Sequence, residues 1–237
     1  MSEVITGRPV WIGGFELSNQ LNAVALDLGA DDLDGTTLAN DTRVHKRGLK
    51  TAGFSIEGFF DSELDAQQFS NMDSAEVPVA VAAQEGNVGE LAYFFKTMQS
   101  TYQHGGSVGE LHSITAGGNA RGDVARGTIH VNATGQTADG ASAGIQQGAV
   151  ASGAKLVAGL FVTSLSGIAP TLDVTIESDD NSGFTTAVER INFATASAIG
   201  GQILELSGPV TDDYWRVDFT LGGTAPSFNF FVVVGIQ

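Results

Sequence analysis

The chain has 237 residues, carries 27 acidic against 11 basic side chains for a formal charge of −16, and contains no cysteine. Phosphate-gripping surfaces need clustered Lys and Arg, so this balance argues against a nucleic-acid-binding role; the missing cysteines exclude a disulfide framework, a thiolate metal site and a cysteine nucleophile. Glycine, at 31 residues, is about twice its average share, which predicts many turns and few long helices.

The length suits two domains or one large all-β unit. Met1–Gly7 lacks a basic region followed by an apolar run, and apolar residues nowhere persist for a membrane span of about 18, so a soluble chain without a Sec-type leader is expected.

In chain order, Val10–Ile12, Phe15–Leu17 and Val24–Leu28 read as short extended pieces around the Gly13-Gly14 pair. The stretch Asp27–Lys50 follows, too polar and too long for an ordinary turn. Its charge is segregated: Asp27, Asp31, Asp32, Asp34 and Asp41 come first, then Arg43, Lys46, Arg47 and Lys50, with His45 among them. Two readings compete. One is a solvated mobile loop; the other is an arm that orders only when each sign meets its opposite on a copy of the chain presented head to tail.

Leu49–Phe60 alternates, with Phe54, Ile56 and Phe60 on one face and Ser55, Glu57 and Phe59 on the other. Phe59 is then on the wrong side, so either a bulge at Gly58 shifts the register or the outer face meets a neighbour. Ser62 and Asp65 suggest a capping box opening a short helix that runs to Met72, and Pro78 within Val77–Val81 suggests an edge strand. Asn87 and Glu90 suggest a second cap, and the spacing of Leu91, Phe95 and Met98 predicts a helix over 87–102 whose apolar face is core and not a cofactor site.

Strands are expected over 110–116 and 127–133, joined by a loop in which Arg121-Gly122-Asp123 reads as turn chemistry and not as an adhesion motif. Thr134–Gly148 reads as a linker or an extended crossing arm, dividing the chain into domains 1–135 and 136–237. Beyond it, alternating strands at 156–163, 172–177, 190–193, 203–206, 215–221 and 228–234, separated by turns, predict a β-sandwich. His45, His104, His112 and His130 show no metal-binding spacing. Asp179-Asp180-Asn181 and the Asp31, Asp32, Asp34 cluster lack the ligand alternation of a calcium loop and read as turns. No nucleophile elbow, zinc-protease helix, phosphate loop or dinucleotide fingerprint is present, so neither catalysis nor a cofactor is expected.

The segment VWIGGFELSNQLNAVALDLGADDLDGTTLANDTRVHKRGLKTAGFSIEGFFD resembles the N-terminal part of the major tail tube proteins of long-tailed bacteriophages. The likeness is carried by Leu33, Asp34, Thr36 and Thr37, by Asp41, Thr42 and Arg43, by Gly48 and Leu49, and by Gly58, Phe59 and Asp61. VPVAV, GELAYFF, GSVGEL and ARGTIHVN continue it to about residue 133, and SDDNSGF and APSFNFFVVVGI are similar to β-domains of such virion proteins.

The resemblance implies a mainly β fold: a tail-tube-type β-sandwich or barrel with a flanking α-helix at 87–102, then a second β-sandwich. It implies subunits joined edge to edge into rings, an arm (27–50) reaching the adjoining ring, and a virion tail assembled in a bacterial host's cytoplasm. The partners implied are copies of the chain and other tail proteins, namely tape measure, tail terminator and tail tip, with no membrane. DNA would be passing cargo repelled by an acidic lumen. The second half is either an outer decoration, with hexameric rings, or a diverged copy of the first, with trimeric rings. The competing reading is a carbohydrate- or receptor-binding β-module, which predicts grouped, solvent-facing aromatics, with Tyr214 the leading candidate.

Overall fold

The computed structural model describes residues 8–237, so the expectation about Met1–Gly7 lies outside the described residues. The elements in order are β1 (Val10–Ile12), β2 (Phe15–Glu16), β3 (Leu21–Asp34), β4 (His45–Phe59), α1 (Ser62–Asn71), β5 (Val77–Ala82), β6 (Leu91–Gly105), β7 (Ser113–Ala120) and β8 (Ala125–Gln136). They continue with β9 (Gly140–Ala141), β10 (Ile145–Gln146), β11 (Lys155–Asp179), β12 (Val188–Asn192), β13 (Gly200–Ser207) and β14 (Tyr214–Ile236). The fold is mainly β, as the glycine content and alternation predict.

Two compact units are present: one gathers the described residues up to Asn19 with Val77–Lys96 and Ala125–Gln237, the other Gln20–Glu76 with Thr97–Val124. They are not the halves 1–135 and 136–237. β8 pairs with β14, Asn132 opposite Phe231 and Val131 opposite Val232, so these N-terminal residues share a ladder with the C-terminal strand.

In the first unit, β11 and β14 pair antiparallel from Leu156–Ile236 to Asp179–Tyr214. The turns expected between the strands at 156–163 and 172–177 and between those at 215–221 and 228–234 do not end strands. They are bulged kinks at one level of the ribbon, where Ile168 faces Thr224 and Ala169 and Ala225 take φ of 48° and 49°. Such kinks let one strand contribute to two layers. Leu156, Leu160 and Val162 before the kink, and Leu172, Val174 and Ile176 after it, enter the same core with Trp215, Val217, Phe228 and Phe230. The opposite face of the first stretch, Val157 and Phe161, joins Trp11, Phe94, Ile129, Phe231 and Val233 in a second core. A strand buried on both faces needs a nearly continuous apolar run, which is what 156–162 and 228–234 supply. Each fully buried Phe or Val there contributes roughly 1.5–3 kcal/mol over exposure.

Two further expectations fail for physical reasons. β5 lies between β1 and β6 and is not an edge; Pro78 is tolerated because it stands at the start of the strand, just before the Val79–Ile12 pair. The predicted helix over 87–102 is absent, since Leu91–Gly105 is strand β6. Glu90 accepts from the Gly86 and Asn87 amides (2.8 and 3.0 Å) and donates its own amide to the Asn87 carbonyl (3.1 Å). The bonds of a capping box here close a turn, with Gly86 and Gly89 at φ of 86° and 91°, and bonds from Asn87 and these amides hold the Glu90 carboxyl below its usual range. The β-forming run Tyr93-Phe94-Phe95 then favours a strand. Of the predicted helix face, Leu91 is half-buried, Phe95 is buried and Met98 is 46% exposed. The helix found among the described residues is α1, capped by Asp61, whose carboxylate accepts from the Glu63 and Leu64 amides (2.9 and 3.2 Å).

Candidate assembly surface

The second unit holds the residues singled out for assembly. Its sheet has the order β3-β4-β7-β6, all antiparallel. Alternation fixes its two faces. Val24, Ile56, Ala116 and Tyr102 form one cross-strand row, and Leu26, Phe54, Gly118 and Gln99 the next, on the face that α1 covers. There Gln99 Nε2 donates to the Gln68 carbonyl (2.8 Å), the Tyr102 hydroxyl donates to Asp65, and Phe69 packs edge-on to Tyr102. Loss of hydration, and then the Asp65 carboxylate, push the Tyr102 hydroxyl up to about 12.

The other face carries rows such as Ala25, Ser55, Gly117 and Thr101, and Ala23, Glu57, Thr115 and Gln103, with Asp27 beyond. Apart from Met98 in the Asp27 row and Phe59, it is small and polar, with two carboxylates and no Lys or Arg in the four-stranded part. Phe59 is exposed on this face. The strand keeps its alternation through Gly58; the register shift lies opposite, between Leu21 and Ala23, and Gly58 is where the Gln20 carbonyl approaches so closely that a Cβ would stand 2.4 Å from it.

Both outer strands have a side with no partner strand among the described residues. Among the described residues β3 pairs only with β4. β5 enters its hairpin with β6 through the Ala83 amide to Leu91 carbonyl bond (2.8 Å), so its six residues run out opposite about Thr97 and leave the outer side of the rest of β6 without a strand among the described residues.

The arm is not an irregular loop. β3 and β4 carry it as a two-stranded ribbon, with Ala30 opposite Lys50, Asp32 opposite Arg47, Leu33 opposite Lys46 and Asp34 opposite His45. The acidic run and the basic run are therefore cross-strand neighbours within one chain, a local complementarity that the linear charge pattern does not reveal. His45 Nδ1 lies 2.9 Å from Asp32 Oδ1, and Lys50 Nζ lies 3.2 Å from Asp123 Oδ1. A bulge places Gly48 against Asp31, where a Cβ would come within 2.7 Å of the Asp31 Cβ. At the tip, Asp34 Oδ1 accepts from the Thr36 amide (2.9 Å), and its bonds to Thr36 hold its carboxyl below the usual range. Asn40 Oδ1 accepts from the Thr37 amide (2.8 Å).

Asp31, Asp41, Arg43, Lys46 and Arg47 form no ion pair among the described residues. Leu28, Leu33, Leu38 and Leu49 are exposed along the same ribbon. Sequence reasoning found the charges but not these leucines, whose irregular spacing between polar residues gives no period.

Elsewhere, Trp11 and Trp215 are core residues and Tyr214 is half-buried. The Asp179 carboxylate is used internally, accepting from the Thr186 amide (2.8 Å) and the Asn181 amide (3.2 Å) as a turn. Arg121 donates to the Ala75 carbonyl (2.9 Å). Among the described residues no helix is long and apolar enough to cross a membrane.

No family model matches the chain, and no curated protein matches it. Among solved structures, it is similar to a chain of the virion of a native gene transfer agent particle, with TM-score 0.42 and 16% identity over 52% of this chain and 97% of that one. It is also similar to the Dit protein of phage SPP1, described as a paradigm of hub adsorption apparatus in phages infecting Gram-positive bacteria, with TM-score 0.38 and 10% identity over 97% and 99% of the two chains. A third similar chain belongs to the phage p2 baseplate in its activated conformation, with TM-score 0.37 and 10% identity over 96% and 97%.

Proposed function

We propose that this chain is a non-enzymatic structural protein of a phage-type tail, which closes into rings through the free sides of β3 and β6 and stacks them through the ribbon 27–50. The observation that carries the reading is the four-stranded sheet with two unprotected edges. Long open edges pair promiscuously unless an assembly occupies them. With an even number of antiparallel strands, β6 of one copy runs antiparallel to β3 of the next, so pairing them extends the ladder without a break in direction. The two edges differ, which makes the contact heterologous, and heterologous contacts close into rings or grow into filaments.

The small acidic face of the same sheet would then line the ring's interior. Asp27 and Glu57, repeated by symmetry, repel phosphate and keep a passing nucleic acid from adhering. Stacking would cover Leu28, Leu33, Leu38 and Leu49 and pair Arg43, Lys46 and Arg47 with carboxylates of the adjoining ring, Asp31 and Asp41 among the candidates. The tail assignment itself rests on the residues from Leu33 to Asp61 that resemble tail tube proteins. Negative-stain electron microscopy of the concentrated protein tests the reading: rings or tubes are expected, and uniformly monomeric particles at every concentration would refute it.

A further inference from the structure

His104, near the end of β6, and His112, just before β7, lie on the two sides of one hairpin with His104 Nδ1 3.1 Å from His112 Nε2. Both side chains are exposed. The pair is held from outside: Phe60 stacks on the His112 ring at 4.5 Å and 4°, and the Phe60 amide donates to the His112 carbonyl (2.8 Å). Across the same hairpin, Ser113 Oγ donates to the Gly105 carbonyl (3.0 Å). No carboxylate among the described residues bonds to either imidazole, and the assembly reading uses neither. Two neutral imidazoles at this distance share a single N–H···N bond, which any proton donor in water replaces at little cost.

We propose that His104 and His112 are a two-imidazole site for a divalent transition-metal ion of the Zn2+ class. Zn–N bonds are about 2.0–2.1 Å long, so two nitrogens on one tetrahedral ion stand roughly 3.3 Å apart, a few tenths of an ångström from the spacing already present. The metal takes the place of the shared proton between His104 Nδ1 and His112 Nε2, and that proton moves to the outer nitrogen of the ring that donated it, so that His104 Nε2 and His112 Nδ1 each carry one and both rings stay neutral. Imidazole without thiolate or carboxylate suits Zn2+, Ni2+ and Cu2+ and not Mg2+ or Ca2+. No group of three or more His, Cys, Asp or Glu side chains converges among the described residues, so water fills the other positions. The sequence hides the site because the two histidines are eight residues apart on the two sides of a hairpin and only its register brings them together.

The test is isothermal titration of Zn2+ into the full chain after removal of metal with EDTA, joined to imidazole 15N shifts of the wild-type protein. One ion per chain is expected, with shifts confined to His104 and His112 among the four histidines. His104→Asn and His112→Asn should each weaken binding about tenfold or more, and His45→Asn should leave it unchanged. Diffuse, non-saturating uptake by the acidic surface, or tight binding that survives both His substitutions, would overturn the proposal. Should either variant fail to fold, unmoved His104 and His112 nitrogens in the wild type at saturating Zn2+ would do the same. The readout does not depend on assembly, so its failure leaves the ring reading untouched.

Discussion

The two units solve the burial problem in opposite ways. The first packs both faces of its central strands, and Trp215, Phe161, Phe228, Phe230 and Phe231 are all buried to within 1%. The second covers one face of a four-stranded sheet with one helix, and puts Gln68, Asn71, Thr97 and Gln99 among its buried residues. Gln20 Oε1, Gln68 Nε2 and Asn71 Nδ2 find no hydrogen-bond partner among the described residues. Two-stranded ribbons such as the arm are marginal by themselves in water. Under the proposed assembly, a second copy would satisfy both the outer ladders of this sheet and the exposed leucines of the ribbon.

The largest effect should come from truncating the first core. Phe230→Ala in the first unit should cost about 3–5 kcal/mol, because its double-sided packing cannot collapse around the cavity. Equilibrium unfolding in urea would show it as a lower midpoint with an unchanged slope.

Acid separates the units next. His130 is buried and pushed down to about 4 by loss of hydration, with Gln147 Nε2 2.9 Å from its Nε2. The folded state therefore keeps His130 neutral while the unfolded chain takes up a proton near 6.5. Stability from this group is full above that value and lost as pH falls from 6.5 towards 4, about 3 kcal/mol in all. Unfolding curves at pH 7 and pH 4.5 should differ less in His130→Gln than in wild type; equal pH dependence would remove His130 as the cause.

The smallest effect on the subunit belongs to the arm. Lys46→Glu with Arg47→Glu should cost the subunit no more than about 1 kcal/mol: both side chains are exposed and form no ion pair among the described residues, and the cost that arises comes from setting a carboxylate at position 47 opposite Asp32 in the ribbon. Tubes seen by electron microscopy should shorten, because every ring-to-ring interface repeats the reversed charges. Tubes of normal length would make the basic run a solvated face.

Much of the first unit was legible because strands buried on one face declare themselves by alternation: Trp215, Val217 and Phe219, or Leu172, Val174 and Ile176. What the pattern concealed was continuity. Gly167 and Gly223 looked like strand ends, yet the pairing of β11 with β14 resumes beyond them. The error over 87–102 has a different cause, since Leu91, Phe95 and Met98 match a helical period while Tyr93-Phe94-Phe95 favours a strand, and the long-range partner β7 decides between them. In the arm, the charges were visible and their cross-strand pairing was not, because pairing depends on where the hairpin turns. His104 and His112 were lost for the same reason.

The central claim is that β6 of one copy meets β3 of the next. The absence of cysteine from the sequence makes a direct test possible. Ala25→Cys on β3 and Thr101→Cys on β6 place one thiol on each outer strand, both exposed and in the same cross-strand row. Treatment of the double variant with a short thiol-reactive crosslinker should give, on a denaturing gel, a ladder of covalent oligomers ending at the ring size, while each single variant stays largely monomeric. A double variant that remains monomeric under conditions where wild type forms rings, or single variants that crosslink as efficiently as the double, would contradict the edge-to-edge account.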